Sequence, residues 1–197
     1  MIAIPVIRRH LTSDLLGRHI YLFGPGTGAG PVLRRLAEAR AQEGTVVLVE
    51  DDEARVHVAT LFRPVLALDA VGTFASIATL ALAEAIESTE EAGLTATPVW
   101  PNRVDFGDAT VGTSFVEVSS ASARPDFVIL GVSVDVGALE AAAARPYDAN
   151  VLVAAWLNAL DRWSTAYAGR GPAAVTGAVR FRPRGVMWRL VPSAGRA

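Results

Sequence analysis

The sequence predicts an α+β domain, a mixed β-sheet backed by helices, with a small C-terminal β-hairpin. Three observations predict it. Short apolar stretches rich in valine and isoleucine, several of them alternating, recur at residues 45–50, 56–62, 97–104, 110–118 and 127–134. Two long stretches with helical periodicity, 74–88 and 150–167, interrupt them in an irregular order rather than after every strand. Hydrophobic residues make up 51% of the 197 positions, enough for one well-buried core.

Taken in order, residues 19–23 read as a short strand, 24–31 as a glycine-rich turn, and 32–42 as a helix with Leu33, Leu36 and Ala37 on one face. Strands follow at 45–50 and 56–62, separated by an acidic cluster and ended by Arg63-Pro64. Residues 74–88 form an alanine-rich helix, apolar through Phe74, Ile77, Ala78, Ala81 and Ala85, with Glu84 and Glu87 on its wet side. Strands at 97–104 and 110–118 flank Phe106, Gly107 and Asp108, which supply turn chemistry for a hairpin. A strand at 127–134 precedes the helix 150–167, whose stripe carries Leu152, Trp156, Leu157, Leu160 and Trp163. Gly169, Gly171 and Pro172 stop it, and 174–182 and 186–191 read as the terminal hairpin. The expected division is a main domain over 1–170 and a small β appendage over 171–197.

Composition narrows the chemistry. The net charge is -2, so no global positive field favours nucleic acid or an anionic membrane. No uninterrupted apolar run is long enough to span a bilayer, and the first is broken by Arg8, Arg9 and His10, so a cytoplasmic location is expected. Without cysteine there are no disulfides, thiolate nucleophiles or cysteine metal sites. All 18 basic residues are arginine, which excludes a Walker lysine, a Schiff base and a lysine clamp on an acyl adenylate.

The run Gly24-Pro25-Gly26-Thr27-Gly28-Ala29-Gly30 lies between a strand and a helix, with Glu50 and Asp51 ending the next strand. That pattern fits a dinucleotide fingerprint, with backbone amides cradling a pyrophosphate, and it equally fits a tight turn from which Pro25 has removed a donor. Glu50, Asp51, Asp52 and Glu53, with His57 beyond, would offer metal ligands on a helix; on a strand they read as solvated charge. Ser114, Ser119 and Ser120 have no nucleophile elbow and no neighbouring histidine. Arg180, Arg182, Arg184 and Arg189, interleaved with Phe181 and Trp188, read as a charged strand face that discourages edge pairing.

One stretch is more specific. Val99-Trp100-Pro101-Asn102-Arg103, then Val111-Gly112, Phe115-Val116-Glu117-Val118, and the strand from Val128 through Gly131 to Asp135 resemble the biotin protein ligases. In that family the segments read Lys-Trp-Pro-Asn-Asp, a Lys-x-x-Gly step into a strand ending Val-Glu, and Gly-x-Gly-x-Asn. Upstream, Phe62-Arg63-Pro64 and the helix from Phe74 resemble the family's strand ending in Arg-Pro and the alanine-rich helix that follows. The resemblance implies the fold of the biotin and lipoate ligases and a ligand site bordered by Trp100, Asn102, Arg103, Gly112, Thr113, Ser114 and Gly131.

It also implies ATP-dependent adenylation of a vitamin carboxylate, which demands fixed cations and backbone donors around the approaching anions. Here Val99 and Thr110 stand at the family's two lysines, Arg103 at its aspartate, and Asp51 to Arg55 where a basic glycine loop belongs. The expectation is therefore a degenerate, non-catalytic ligase-like protein that binds a small carboxylate ligand or a partner protein, with biotin, lipoate or ATP as candidate ligands and no catalytic or metal-ligating residue. Two alternatives stay open: an active biotin or lipoate ligase in which Arg103 and Arg63 replace the lysines, and a dinucleotide-binding domain built on the turn from Gly24 to Gly30. A homodimer through an edge strand fits this fold.

Overall fold

The computed structural model describes residues 1–52, 54–63, 71–89, 95–99, 101–119 and 125–175. Its elements run α1 (Ile4–His10), β1 (Ile20–Phe23), α2 (Ala29–Glu38), β2 (Val46–Asp52), β3 (Arg55–Phe62), α3 (Val71–Ser88), β4 (Ala96–Val99), β5 (Arg103–Phe106), β6 (Ala109–Val118), β7 (Val128–Asp135), α4 (Val136–Ala143) and α5 (Ala149–Arg170). The seven strands form one mixed sheet in the order β1-β2-β3-β7-β6-β5-β4. Only β1 and β2 are parallel, with α2 as their crossover; every other neighbouring pair is antiparallel.

Side-chain alternation along the strands divides the interior in two. Val56, Val58 and Phe62 of β3 join Leu130, Val132 and Val134 of β7 in a large core beneath α3 and α5. The intervening residues Ala59, Leu61 and Ile129 meet Leu33 and Ala37 of α2 in a smaller core on the opposite face. Val46, Val47, Leu48 and Val49 of β2 are covered on both sides, which is why their sequence is continuously apolar. In the larger core Trp156 donates its indole N–H to Ala78 O at 3.3 Å, and Phe74 stands edge-on between Phe62 and Tyr167.

The structure corrects several expectations. The single strand expected at 97–104 is two, β4 and β5, folded back so that Val99 pairs with Arg103. Helix α2 begins at Ala29 rather than residue 32, because Pro31 is well placed in a first turn whose amides have no intrahelical partner. Two helices lie where the sequence pattern does not mark them. Short α1 buries Ile7 and carries Arg8, Arg9 and His10 at its C-terminal end, where the helix dipole favours cations. Helix α4 is capped by Asp135, whose side chain accepts from Ala138 N. The turn at Phe106, Gly107 and Asp108 joins β5 to β6 as expected, with Gly107 at φ 60°. Gly171 ends α5, and Ala174 and Val175 donate to Gly171 O and Pro172 O in a helical turn, not a strand. The remainder of the expected terminal hairpin lies outside the described residues. Among the described residues no helix is long and apolar enough to cross a membrane.

Candidate functional site

Helix α2 covers only part of its face of the sheet, and a cleft of about 350 Å³ opens beside its first turn. Residues 26–31, the end of the loop and the first turn of α2, form one wall; Asp51, His57, Phe115 and Glu117 form the rest. Each arrives for a local reason. Gly26 takes φ 84°, and Thr27 ties the loop by donating its hydroxyl to Gly24 O at 2.7 Å. Gly28 caps α2 with no side-chain acceptor; Pro31 has no N–H and Val32 N donates to Gly28 O, so the first turn offers the amides of Ala29 and Gly30. Phe115 and Glu117 are two residues apart on β6 and therefore share the face that looks at α2.

Three of the arginines described on this face sit against acids, and Arg63 instead donates through Nη2 to Ala37 O and Ala41 O at 3.2 and 3.0 Å. Arg34 of α2 donates through Nε and Nη2 to Glu117 Oε2 at 3.0 and 2.9 Å. Arg55 lies 3.6 Å from Asp135, Arg103 lies 2.9 Å from Asp105, and His57 Nε2 lies 3.7 Å from Asp51. Among the described residues no group of three histidine, aspartate or glutamate side chains could hold a metal ion.

The connection between β2 and β3 is equally distinctive. Asp52 is the register partner of Arg55 at the end of the β2–β3 ladder. Ala54 O then accepts from Val136 N at 2.6 Å and from Gly137 N at 3.4 Å, which fastens the turn to the start of α4.

The seven residues expected to border a ligand divide between two faces. Arg103 and Thr113 are register partners and both are exposed on the α2 side. Gly131 lies on that side beneath the Phe115 ring. Gly112 instead faces α3, where an added Cβ would come 2.6 Å from Leu82. Ser114 also faces α3, its hydroxyl 2.7 Å from Thr79 Oγ1. Asn102 clamps the turn, donating to Ser114 O at 2.9 Å and accepting from Ser114 N at 2.7 Å through its backbone. Trp100 lies outside the described residues. The cleft is therefore lined by residues that sequence correspondence did not select, reached from Gly131 only through Phe115.

The glycine-rich turn does sit in a strand-turn-helix-strand unit with parallel strands. The rest of the sheet is antiparallel, however, so the repeated parallel units of a doubly wound sheet are missing among the described residues. Glu50 turns to the other face and accepts from Ile2 N at 3.2 Å. The dinucleotide geometry is thus incomplete.

A mixed sheet with α3 and α5 on one face, and α2 beside a half-open cleft on the other, defines an α+β domain. The chain belongs to the biotin/lipoate A/B protein ligase family, whose model matches residues 27–180. Its fold is similar to that of a biotin protein ligase-like protein of unknown function from Silicibacter sp. TM1040, at 16% identity and TM-score 0.76, covering 85% of this chain and 78% of that one. It is also similar to biotin protein ligase from Aquifex aeolicus, at 16% identity and TM-score 0.68, covering 82% and 75%. A third similar structure is biotin protein ligase from Leishmania major in complex with biotin, at 13% identity and TM-score 0.67, covering 91% and 87%. No curated protein sequence matches the chain.

Proposed function

We propose that this chain is a non-catalytic member of its family, which holds a small carboxylate ligand in the cleft without adenylating it. The observation that carries this reading is the turn between β2 and β3, fastened through Ala54 O to Val136. Where the family resemblance calls for a mobile basic loop over the reacting phosphates, this chain has an acidic turn. The family's two lysine positions are Val99, on β4, and Thr110, whose hydroxyl donates to Asp105 Oδ1 at 2.9 Å. Of the two arginines expected to replace the lysines, Arg103 pairs with Asp105 and Arg63 donates to Ala37 O and Ala41 O. Each missing charge contact removes a few kcal/mol of transition-state stabilisation, so adenylation is slowed by many orders of magnitude.

What remains fits binding. The amides of Ala29 and Gly30 in the first turn of α2 receive a carboxylate, and the apolar face of Phe115 receives its body. Glu117 opposes this less than its charge suggests, because Arg34 faces it.

Incubation of the full chain with ATP, biotin or lipoate and an acceptor domain tests the reading. No acyl-adenylate and no labelled acceptor above background are expected, while a thermal shift with the carboxylate alone is expected. Acceptor labelling would establish an active ligase instead.

A protein partner is the second reading, favoured by β1. This edge strand leaves Tyr21 44% and Leu22 41% exposed, and a second copy is the partner it fits. Light scattering during size-exclusion chromatography separates a dimer from a monomer, and Tyr21→Lys would dissociate an edge-paired dimer.

A further inference from the structure

We propose that Phe115 sets the length of ligand that the cleft accepts. The proposal rests on the small-ligand reading above and deepens it.

One ring spans the gap between helix and sheet. An ideal Cβ on Gly131 would fall well inside contact with Cζ and Cε1 of Phe115, and 2.8 Å from Val58 O. An ideal Cβ on Gly30 would fall 3.1 Å from Cε2 of the same ring. The ring thus lies on bare backbone of β7 and beneath bare backbone of α2, with glycine at each end because no side chain fits. On its inner side it packs against the cluster containing Ala29, Leu33, Ala59 and Ile129. On its outer side it lines the cleft.

Phe115 is therefore a wedge between an open cleft and an apolar interior that would otherwise continue it. The space left outside, about 350 Å³, is at the small end of ligand sites. A ligand whose carboxylate sits on the first turn of α2 must end its apolar body at the ring. A smaller side chain at 115 joins the cleft to the apolar cluster and admits a longer body.

Titration of the full chain with straight-chain carboxylates from butanoate to dodecanoate, and with the matching primary amides, tests this by calorimetry. The wild-type affinity is expected to stop rising at a short chain. Phe115→Ala is expected to keep gaining about fourfold in Kd for each further buried methylene over several more carbons. Phe115→Leu is expected to stop at an intermediate length, and it carries the test if the alanine variant is unfolded by circular dichroism. Folded variants that stop at the wild-type length overturn the wedge and leave the carboxylate reading in place. A length shift seen equally with amides supports the wedge and overturns the carboxylate reading. Binding of no member of either series to any of the three proteins overturns both.

Discussion

The carbonyl of Ala54 and the amide of Val136 meet at 2.6 Å, which makes the turn between β2 and β3 part of the N-terminus of α4. Asp135 completes the junction, its Oδ1 accepting from Ala138 N at 2.8 Å while Oδ2 lies 3.6 Å from Arg55 Nε.

The two interactions of Asp135 are separable in a urea melt. Asp135→Ala removes the helix cap and is expected to cost about 1 kcal/mol of stability. Arg55→Ala removes an ion pair whose members are 56% and 33% exposed, and a change below about 0.5 kcal/mol is expected. A larger loss for Arg55→Ala than for Asp135→Ala would mean that the ion pair, not the cap, holds the turn.

Gly131 tests the seating of the ring. Its replacement by alanine puts a methyl group against both Phe115 and Val58 O, and the second of these is backbone that has little room to yield. Overpacking of this kind costs about 1–3 kcal/mol. Combining Gly131→Ala with Phe115→Ala is expected to recover only part of that loss, the part due to the ring, and a double-mutant cycle in denaturant reads the difference.

Neighbours in one turn should differ in the same way. Asn102 holds Ser114 O through its side-chain amide, and Asn102→Ala is expected to destabilise by about 1 kcal/mol. Arg103 is exposed and bonded only to Asp105 among the contacts described, so Arg103→Ala is expected to change stability by less than about 0.5 kcal/mol. Thermal melts of the two single variants decide whether the turn relies on the amide or on the guanidinium.

These residues also show where sequence reading reaches its limit. Strands such as β3 and β7 are legible because valine and isoleucine alternate with residues of the opposite face. The hairpin at Pro101 and Asn102 is not, because two strands of four residues separated by a tight turn give the same letters as one longer strand. Correspondence with a family places Gly112, Thr113 and Ser114 near one another in sequence, but the period of two sends Thr113 one way and its neighbours the other. The approach of Arg34 to Glu117 joins residues 83 positions apart, and nothing local in either segment announces it. Phe115 reads as an ordinary core aromatic until the two glycines that flank its ring are seen together.

Glu117 gives the sharpest test of what the cleft prefers. Its Oε2 accepts both bonds from Arg34, and it lines the cleft close to the first turn of α2, so it neutralises an arginine that could otherwise favour an anion there. Glu117→Gln keeps the shape and one oxygen acceptor but removes the charge, leaving Arg34 with its positive field uncompensated. The pair is partly exposed, 37% and 27%, so stability should change by less than about 1 kcal/mol. Carboxylate binding should tighten by roughly fivefold at low salt, the effect of one additional unit charge near 4 Å in a watery site. Raising the ionic strength should erase most of the gain, because such a charge is screened. The matching amides should bind the variant and the wild type alike. Calorimetry at two salt concentrations measures all of this, and a carboxylate affinity that stays level or falls in Glu117→Gln would mean that the ligand presents donors, not a negative charge, to this wall of the cleft.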